Sequence, residues 1–375
     1  MTHIIVYFPY ALKKNPKSGS GVRPKLIVDA FREYGEKKQI EVILISGNSS
    51  ERQERIEDYK NKYNAENALF CYMENSTVPF WLTEKDHMPR KPFMDAAFWK
   101  YLKQANVPIG CFYRDVYWQF DDMYVPPKNI KMLTPIMRSI YQRELKVYSK
   151  YVDILYLPSL EMNEYVGWKG TFDELPPGMQ QLDKEKATPT SPPKAVFVGG
   201  ISDQIGIIMM LEAFKSLNEE DTYLLELVCR EEEYRQYPEM HKYNEYDWLT
   251  ISHKSGRELD EVYQNAAIAL IPRERNEYHD FSVPVKMFEY LSNGLPIVAT
   301  DCKAHARILE KDGLGIVTEV DAKKFAEGVL HALESSTYEK LKTNIENYAY
   351  EHHSWSSRVE KIATQLISKR NDARK

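Results

Sequence analysis

Pro284-Val285-Lys286-Met287-Phe288-Glu289-Tyr290-Leu291-Ser292-Asn293-Gly294-Leu295-Pro296-Ile297-Val298 reads as one loop–helix–strand unit. Proline suits the first turn of a helix, because its missing N–H is not needed there. Met287, Phe288 and Leu291 fall on one helical face. Gly294 followed by Pro296 ends the helix, and the apolar run from Pro296 to Ala299 starts a strand. A helix leading directly into a short apolar strand is the repeating unit of a parallel sheet.

The same alternation runs outward in both directions. Toward the N-terminus, strands are predicted at Ile4–Phe8, Glu41–Ser46, Ala68–Met73, Pro108–Tyr113 and Asp153–Pro158. Helices are predicted between them at about 22–34, 50–63 and 92–105. The stretch from Leu175-Pro176-Pro177-Gly178 to Pro189-Thr190-Ser191-Pro192-Pro193 is Pro-rich and lacks apolar periodicity, as an interdomain linker does. Beyond it come strands at Ala195–Val198, Leu224–Cys229, Trp248–Ile251, Ile268–Ile271 and Pro296–Ala299. Helices are predicted at about 206–217, 258–265, 285–292, 322–333 and 337–351, and a last one at about 356–368. The expected fold is α/β, with two Rossmann-like domains facing across a cleft. The expected divisions are 1–178, a linker 179–194, a second domain 195–350, and a terminal segment 351–375.

Composition bounds the function. The 375 residues are 43% apolar and 28% charged, a globular balance. A net charge of −5 argues against a nucleic-acid binder. The opening run Met1–Pro9 is too short for the apolar region of a signal peptide, and no run approaches a membrane span. Cys71, Cys111, Cys229 and Cys302 are scattered without Cys-x-x-Cys spacing, which points to reduced thiols in the cytosol and neither zinc nor disulfides. Between Lys128 and Lys150, cations interleave with Met132, Leu133, Ile136, Met137, Ile140 and Tyr141. That pattern fits a soluble helix with one buried face, or a helix resting on an anionic membrane surface.

Chemistry concentrates at Ser282-Val283-Pro284 and the helix after it. A helix N-terminus favours a phosphate, and Lys286 adds a full positive charge. Glu289, three residues on, shares that face, and a carboxylate accepts from the two hydroxyls of a ribose. Gly199-Gly200 follows the first strand of the second domain, where glycine lets backbone N–H groups approach a phosphate.

With Val298-Ala299-Thr300 after it, this segment resembles the donor-site signature of GT-B fold glycosyltransferases of the GT4-like (glycosyl transferases group 1) superfamily. The resemblance implies a nucleoside-diphosphate sugar as donor, with Lys286 on the diphosphate and Glu289 on the ribose. The family usually carries two glutamates here, and the first position falls on Phe281, so the sugar's hydroxyl partner is not identified. The family also often has an Arg and a Lys after the glycine turn, where Ser202, Asp203 and Gln204 stand. Arg230 is the candidate to supply that charge, or else a surface ion pair. His253 lies where the family grips the base. Trp355 resembles the start of a terminal helix that crosses back to the first domain.

In the first domain, Gly19 and Gly21 sit where the family has a glycine-rich loop near the phosphate, and a simple turn reads nearly as well. Arg23 is placed to face the diphosphate. Arg114 and Asp115 follow the fourth strand, where the family has its catalytic-centre polar residue. Asp115 is a candidate general base toward an acceptor hydroxyl, or orients the acceptor, or simply pairs with Arg114. Tyr113, Tyr117 and Trp118 suit stacking on a sugar or ordinary packing, and Glu74-Asn75-Ser76 borders the same cleft. No Asp-x-Asp triplet occurs, so no metal and no cofactor are expected. The resemblance implies transfer of a hexose to a saccharide, or lipid-linked, acceptor in surface polysaccharide or glycan assembly. The expected location is cytoplasmic or peripheral at the inner face of the plasma membrane. The alternative is a non-catalytic two-domain sugar- or nucleotide-binding protein.

Overall fold

The computed structural model describes residues 1–13, 19–126, 131–181 and 191–373. Two compact units divide the chain: Met1–Pro176 with Trp355–Lys375, and Pro177–Ser354. The predicted loop residues 14–18, Lys128 and most of the predicted linker (182–190) lie outside the described residues.

The first unit runs β1 (His3–Tyr7), α1 (Gly19–Lys38), β2 (Glu41–Ile45), α2 (Ser49–Lys62), β3 (Ala68–Glu74) and α3 (Met94–Gln104). It continues with β4 (Ile109–Phe112), α4 (Thr134–Tyr151), β5 (Ile154–Leu157), α5 (Asn163–Val166) and β6 (Phe172–Glu174). Its six strands are parallel, in the order β2-β1-β3-β4-β5-β6. Strands β1, β4 and β5 are buried along their whole length and β3 nearly so, as the inner strands of a sheet covered by helices require. Local chemistry starts the helices. Asn48 caps α2 by accepting from the Ser50 and Glu51 N–H groups, and Glu51 reaches back to the Asn48 N–H. One buried network holds three elements together: Arg52 of α2 grips Asp95 of α3 through two N–H groups at 3.0 and 3.1 Å, and the Tyr7 hydroxyl of β1 donates to the same carboxylate.

The second unit holds β7 (Lys194–Val198), α6 (Ile207–Leu217), β8 (Leu224–Val228), α7 (Glu231–Arg235), β9 (Leu249–Ser252), α8 (Glu258–Gln264) and β10 (Ile268–Ile271). Then come α9 (Glu277–Phe281), α10 (Val285–Ser292), β11 (Ile297–Thr300), α11 (Lys303–Asp312), β12 (Gly315–Thr318), α12 (Ala322–Leu333), α13 (Ser335–Asn344) and α14 (Tyr350–His353). Its parallel strand order is β12-β11-β10-β7-β8-β9, so the direction of winding reverses between β7 and β10. The corresponding reversal in the first unit lies between β1 and β3. Ligands in open parallel sheets bind beyond the strands' carboxyl ends at such reversals.

The last helix, α15 (Trp355–Ala373), belongs to the first unit. The helix starts one residue before the expected 356, and the segment joined to the first unit starts at Trp355 where 351 was expected. A π-helical turn at Ile345–Ala349 and α14 intervene, and Ile345 and Ala349 pack in the core of the second unit. Gly19 and Gly21 are corrected too: they form the first turn of α1 and not a loop before it. Strands β6 and β12 and helix α11 were not anticipated; β6 and β12 are edge strands of 3 and 4 residues.

Candidate functional site

In the second unit, α10 starts where its residues predict. Pro284 stands at the N-cap without a side-chain cap, and helix geometry leaves the first N–H groups with no intrahelical acceptor. Met287, Phe288, Tyr290 and Leu291 are buried, which turns Lys286 and Glu289 outward, each about one third exposed. The Lys286 ammonium lies 2.7 Å from Glu289 Oε2 and 3.3 Å from the Tyr263 hydroxyl, which donates to Glu289 Oε1 at 2.7 Å. Burial, and then the Glu289 charge, pushes the Tyr263 phenol well above its ordinary range, so it stays a donor. An ion pair this exposed is worth about 0–1 kcal/mol. Exchanging it for a charge-assisted contact to a phosphate, worth about 1.5–3 kcal/mol, is favourable.

Tyr290, the residue after Glu289, ties the helix to the glycine turn. Its buried hydroxyl accepts from the Val198 N–H at 2.8 Å and lies 3.3 Å from the Val198 carbonyl. Val198 ends β7, and Gly199 and Gly200 come next. A Cβ on Gly199 would lie 2.9 Å from the Phe197 ring. One on Gly200 would meet only the ends of Glu233 and Arg230, at 3.5 Å or more. Arg230 therefore stands at the turn. It is 78% exposed, and its guanidinium is paired with Glu233 at 2.5 Å. Glu233 in turn accepts from the Ile201 N–H at 3.3 Å, where a phosphate was expected. His253 is exposed, with Nδ1 2.9 Å from the Cys229 carbonyl and its ring 5.7 Å from that of Tyr234.

Sequence reasoning missed Arg273. It follows Pro272 at the carboxyl end of β10, half-buried, and its Nη1 donates to Ser282 Oγ at 2.7 Å. His279 and His305 are buried beside it. His305 Nε2 lies 2.7 Å from the Thr300 carbonyl, and His279 Nδ1 lies 2.6 Å from the Glu274 carbonyl. Burial, then the Arg273 charge, lowers both pKa values, that of His305 to about 3. Val283 packs against the core, and Phe281 is buried, as an apolar ring at that position requires. The available signal was a lone cation directly after an apolar strand.

The first unit gathers the remaining candidates. Arg23 is buried, with Nε 3.1 Å from Glu74 Oε1 and its guanidinium 3.5 Å over the Phe112 ring, so it serves the interior of this unit. Arg114 Nη2 lies 3.4 Å from Glu74 Oε2 and donates to the Tyr10 hydroxyl at 2.9 Å. The Arg114 N–H donates to Asn75 Oδ1 at 2.7 Å. Asp115 is half-buried and accepts from the Tyr117 N–H at 3.0 Å, closing a turn. Beside Arg114 is a cavity of about 570 Å³, bordered also by Tyr10, Lys13, Lys25, Ser76 and Thr77. Tyr113 and Trp118 are buried, and Trp118 stacks on Tyr141 at 5.0 Å, so these two rings are packing residues. Gly21 borders the cavity from the first turn of α1. Among the described residues, no group of three or more acidic, His or Cys side chains could hold a metal ion.

Two six-stranded parallel sheets covered by helices define a two-unit Rossmann-like protein. Residues 192–335, all within the second unit, match the family described as Glycosyl transferases group 1. The sequence matches no curated protein. Among solved structures, sucrose-phosphate synthase from Thermosynechococcus elongatus is similar over 98% of this chain and 99% of that one, at 14% identity and TM-score 0.62. Anabaena HepE, solved in complex with UDP, is similar over 97% of this chain and all of that one (100%), at 11% identity and TM-score 0.61. WaaG, a glycosyltransferase involved in lipopolysaccharide biosynthesis, is similar over 97% and 99% at 15% identity and TM-score 0.54. The fold is GT-B, and the match to the glycosyl transferases group 1 model over residues 192–335 takes in the Pro284–Tyr290 segment.

Proposed function

We propose that the chain transfers a hexose from a nucleoside-diphosphate sugar to a hydroxyl of a saccharide acceptor, without a metal ion. The observation that carries this reading is the outward face of α10, where Lys286, Glu289 and the Tyr263 hydroxyl meet at a helix N-terminus. In the reaction the acceptor oxygen bonds to the anomeric carbon as the bond to the distal phosphate oxygen breaks. The diphosphate leaves with the electron pair, and the acceptor's proton passes to a base. Lys286 and the α10 N-terminus meet the leaving charge, which preorganised donors do efficiently in a site of low dielectric. Asp115 and Arg114 are the proposed acceptor-side residues. HepE was solved with UDP and with UDP-glucose, which makes uridine the first base to test.

Assembly of a surface polysaccharide or glycan on a lipid-linked acceptor is the proposed setting. Supporting it, Met132 and Ile136 are exposed beside the exposed cations Arg143, Lys146 and Lys150. Among the described residues no helix is long and apolar enough to cross a membrane. A thermal-shift panel of UDP, GDP, dTDP and ADP tests the donor reading. One diphosphate should raise the unfolding temperature, and Lys286→Ala should weaken its binding about tenfold or more. No shift with any of the four would sink the reading, and full sugar transfer by Lys286→Ala would sink the assignment of Lys286.

A further inference from the structure

Arg273 stands where the winding of the second sheet reverses. The chain leaves β7 through Gly199-Gly200 and leaves β10 through Pro272-Arg273. The two loops are joined. The Glu274 N–H donates to the Gln204 carbonyl at 3.0 Å, and Gly206, at φ +67°, closes so tightly on Pro272 that a Cβ would lie 2.0 Å from its carbonyl oxygen. Arg273 is therefore held in place by its backbone as well as by Ser282.

Among the described residues the guanidinium makes no ion pair. Nη1 is bonded to Ser282, while Nε and Nη2 have no acceptor among the described residues. Two nearby acids pair elsewhere: Asp280 with Arg275 and Lys303, and Asp301 with Arg275. His279 and His305 bond to backbone carbonyls and stay neutral. Burial alone lowers the arginine's pKa, with no carboxylate opposing it. A half-buried cation without a partner is costly, and an arriving anion removes that cost. The free edge, Nε with Nη2, is the one that takes an oxyanion through two parallel bonds.

We propose that Arg273 receives an oxyanion of the donor, either the distal phosphate of the nucleoside diphosphate or a carboxylate on the transferred sugar. The proposal rests on the reading of the second unit as a nucleotide-sugar site. Arg230, the other candidate cation, is exposed and paired with Glu233. Phe281 is buried and offers a sugar no hydroxyl partner, while Arg273 bonds to Ser282, the next residue.

The test titrates the full chain with four probes on the base chosen by the panel: the monophosphate, the diphosphate, the diphosphate-hexose and the diphosphate-hexuronate. Wild type is compared with Arg273→Gln and Arg273→Lys, each checked for its fold by circular dichroism. If Arg273 holds the distal phosphate, Arg273→Gln weakens diphosphate binding about tenfold or more and leaves the monophosphate unchanged. If it holds a carboxylate, diphosphate binding survives and the preference for hexuronate over hexose collapses by a similar factor. Arg273→Lys keeps the charge without the two-bond edge, and should lose part of the same affinity. Wild-type affinities in both variants for all four probes would overturn the proposal while leaving the donor reading intact. A wild type that binds no nucleoside diphosphate would overturn both.

Discussion

Glu144 shows how much one carboxyl can do behind a site. It lies fully buried on α4 and accepts from the Phe80 N–H at 2.8 Å and the Tyr148 hydroxyl at 2.9 Å. Burial pushes its pKa up to about 8, against the opposing bonds from Phe80, Tyr148 and Asn75. Asn75 also accepts the Arg114 N–H, so Glu144 stands one residue behind the candidate acceptor-side loop. A raised pKa means that the fold favours the protonated form. The stabilisation is complete below the unfolded value near 4.5 and is lost as pH rises through about 8. Each unit of difference between folded and unfolded pKa is worth roughly 1.4 kcal/mol. Glu144→Gln keeps the shape without the titration. The stability difference between wild type and this variant, from urea midpoints at about pH 5 and about pH 8.5, should move against wild type by several kcal/mol. A difference that does not change with pH would contradict the buried protonated state. At this scale the sequence was legible where a residue stood in a motif. Lys286 and Glu289 face outward together because the apolar residues between them are drawn into the core. Arg273 and Glu144 carry no motif. Their significance comes from what surrounds them, and only the fold supplies that.

Among the elements, helices with an apolar stripe and strands of continuous apolar residues were readable, while edges and caps were not. Strand β12 (Gly-Ile-Val-Thr) has too few residues to stand out, and Gly315 is there because a Cβ would meet the Ile297 carbonyl at 2.2 Å. Helix α4 has the buried face that a soluble helix requires, and it leaves other side chains exposed. Tyr141, Glu144 and Tyr148 face the interior, and Arg138 is spent on the Trp118 carbonyl and Asp121. Met132 is 85% exposed and Ile136 57%, with Arg143, Lys146 and Lys150 also outward. Apolar side chains beside basic ones suit the surface of an anionic bilayer, where each cation is worth about 1 kcal/mol. The chain should therefore sediment with vesicles of phosphatidylcholine and phosphatidylglycerol, and not with phosphatidylcholine alone. Salt should release it, because the attraction is screened within about 8–10 Å at ordinary ionic strength. Ile136→Glu should abolish the association without unfolding the helix, because the side chain already faces solvent. Equal sedimentation with both kinds of vesicle would remove the membrane reading.

For the whole molecule, the chain's order and the fold's order differ at one place. Helix α15 is the last element in sequence and part of the first unit in space. Trp355, Val359, Ile362, Ala363 and Leu366 are buried in that unit's core with Ile4, Val6, Phe31 and Tyr156. Gly110 of β4 makes the seat: a Cβ there would lie 2.9 Å from the Leu366 side chain and 2.8 Å from the Tyr156 ring. The Lys361 ammonium closes the other edge, 2.9 Å from Asp173 and 2.7 Å from the Glu174 carbonyl of β6. A large buried apolar side chain contributes about 1.5–3 kcal/mol. Four of them, Trp355, Val359, Ile362 and Leu366, amount to a sum comparable with the roughly 5–15 kcal/mol that a whole domain has to spare. A chain ending at Ser354 should therefore lose the folded first unit and keep the second, whose core draws on none of these residues. Hydrogen exchange resolves the two. Amide protection should vanish in β1, β3 and β4 and persist in β7, β10 and β11. Nucleotide binding at α10 should persist with the latter, since Lys286, Glu289, Tyr263 and Tyr290 all lie in the second unit. Protection retained in β1 and β3 would mean that the first unit folds without its terminal helix.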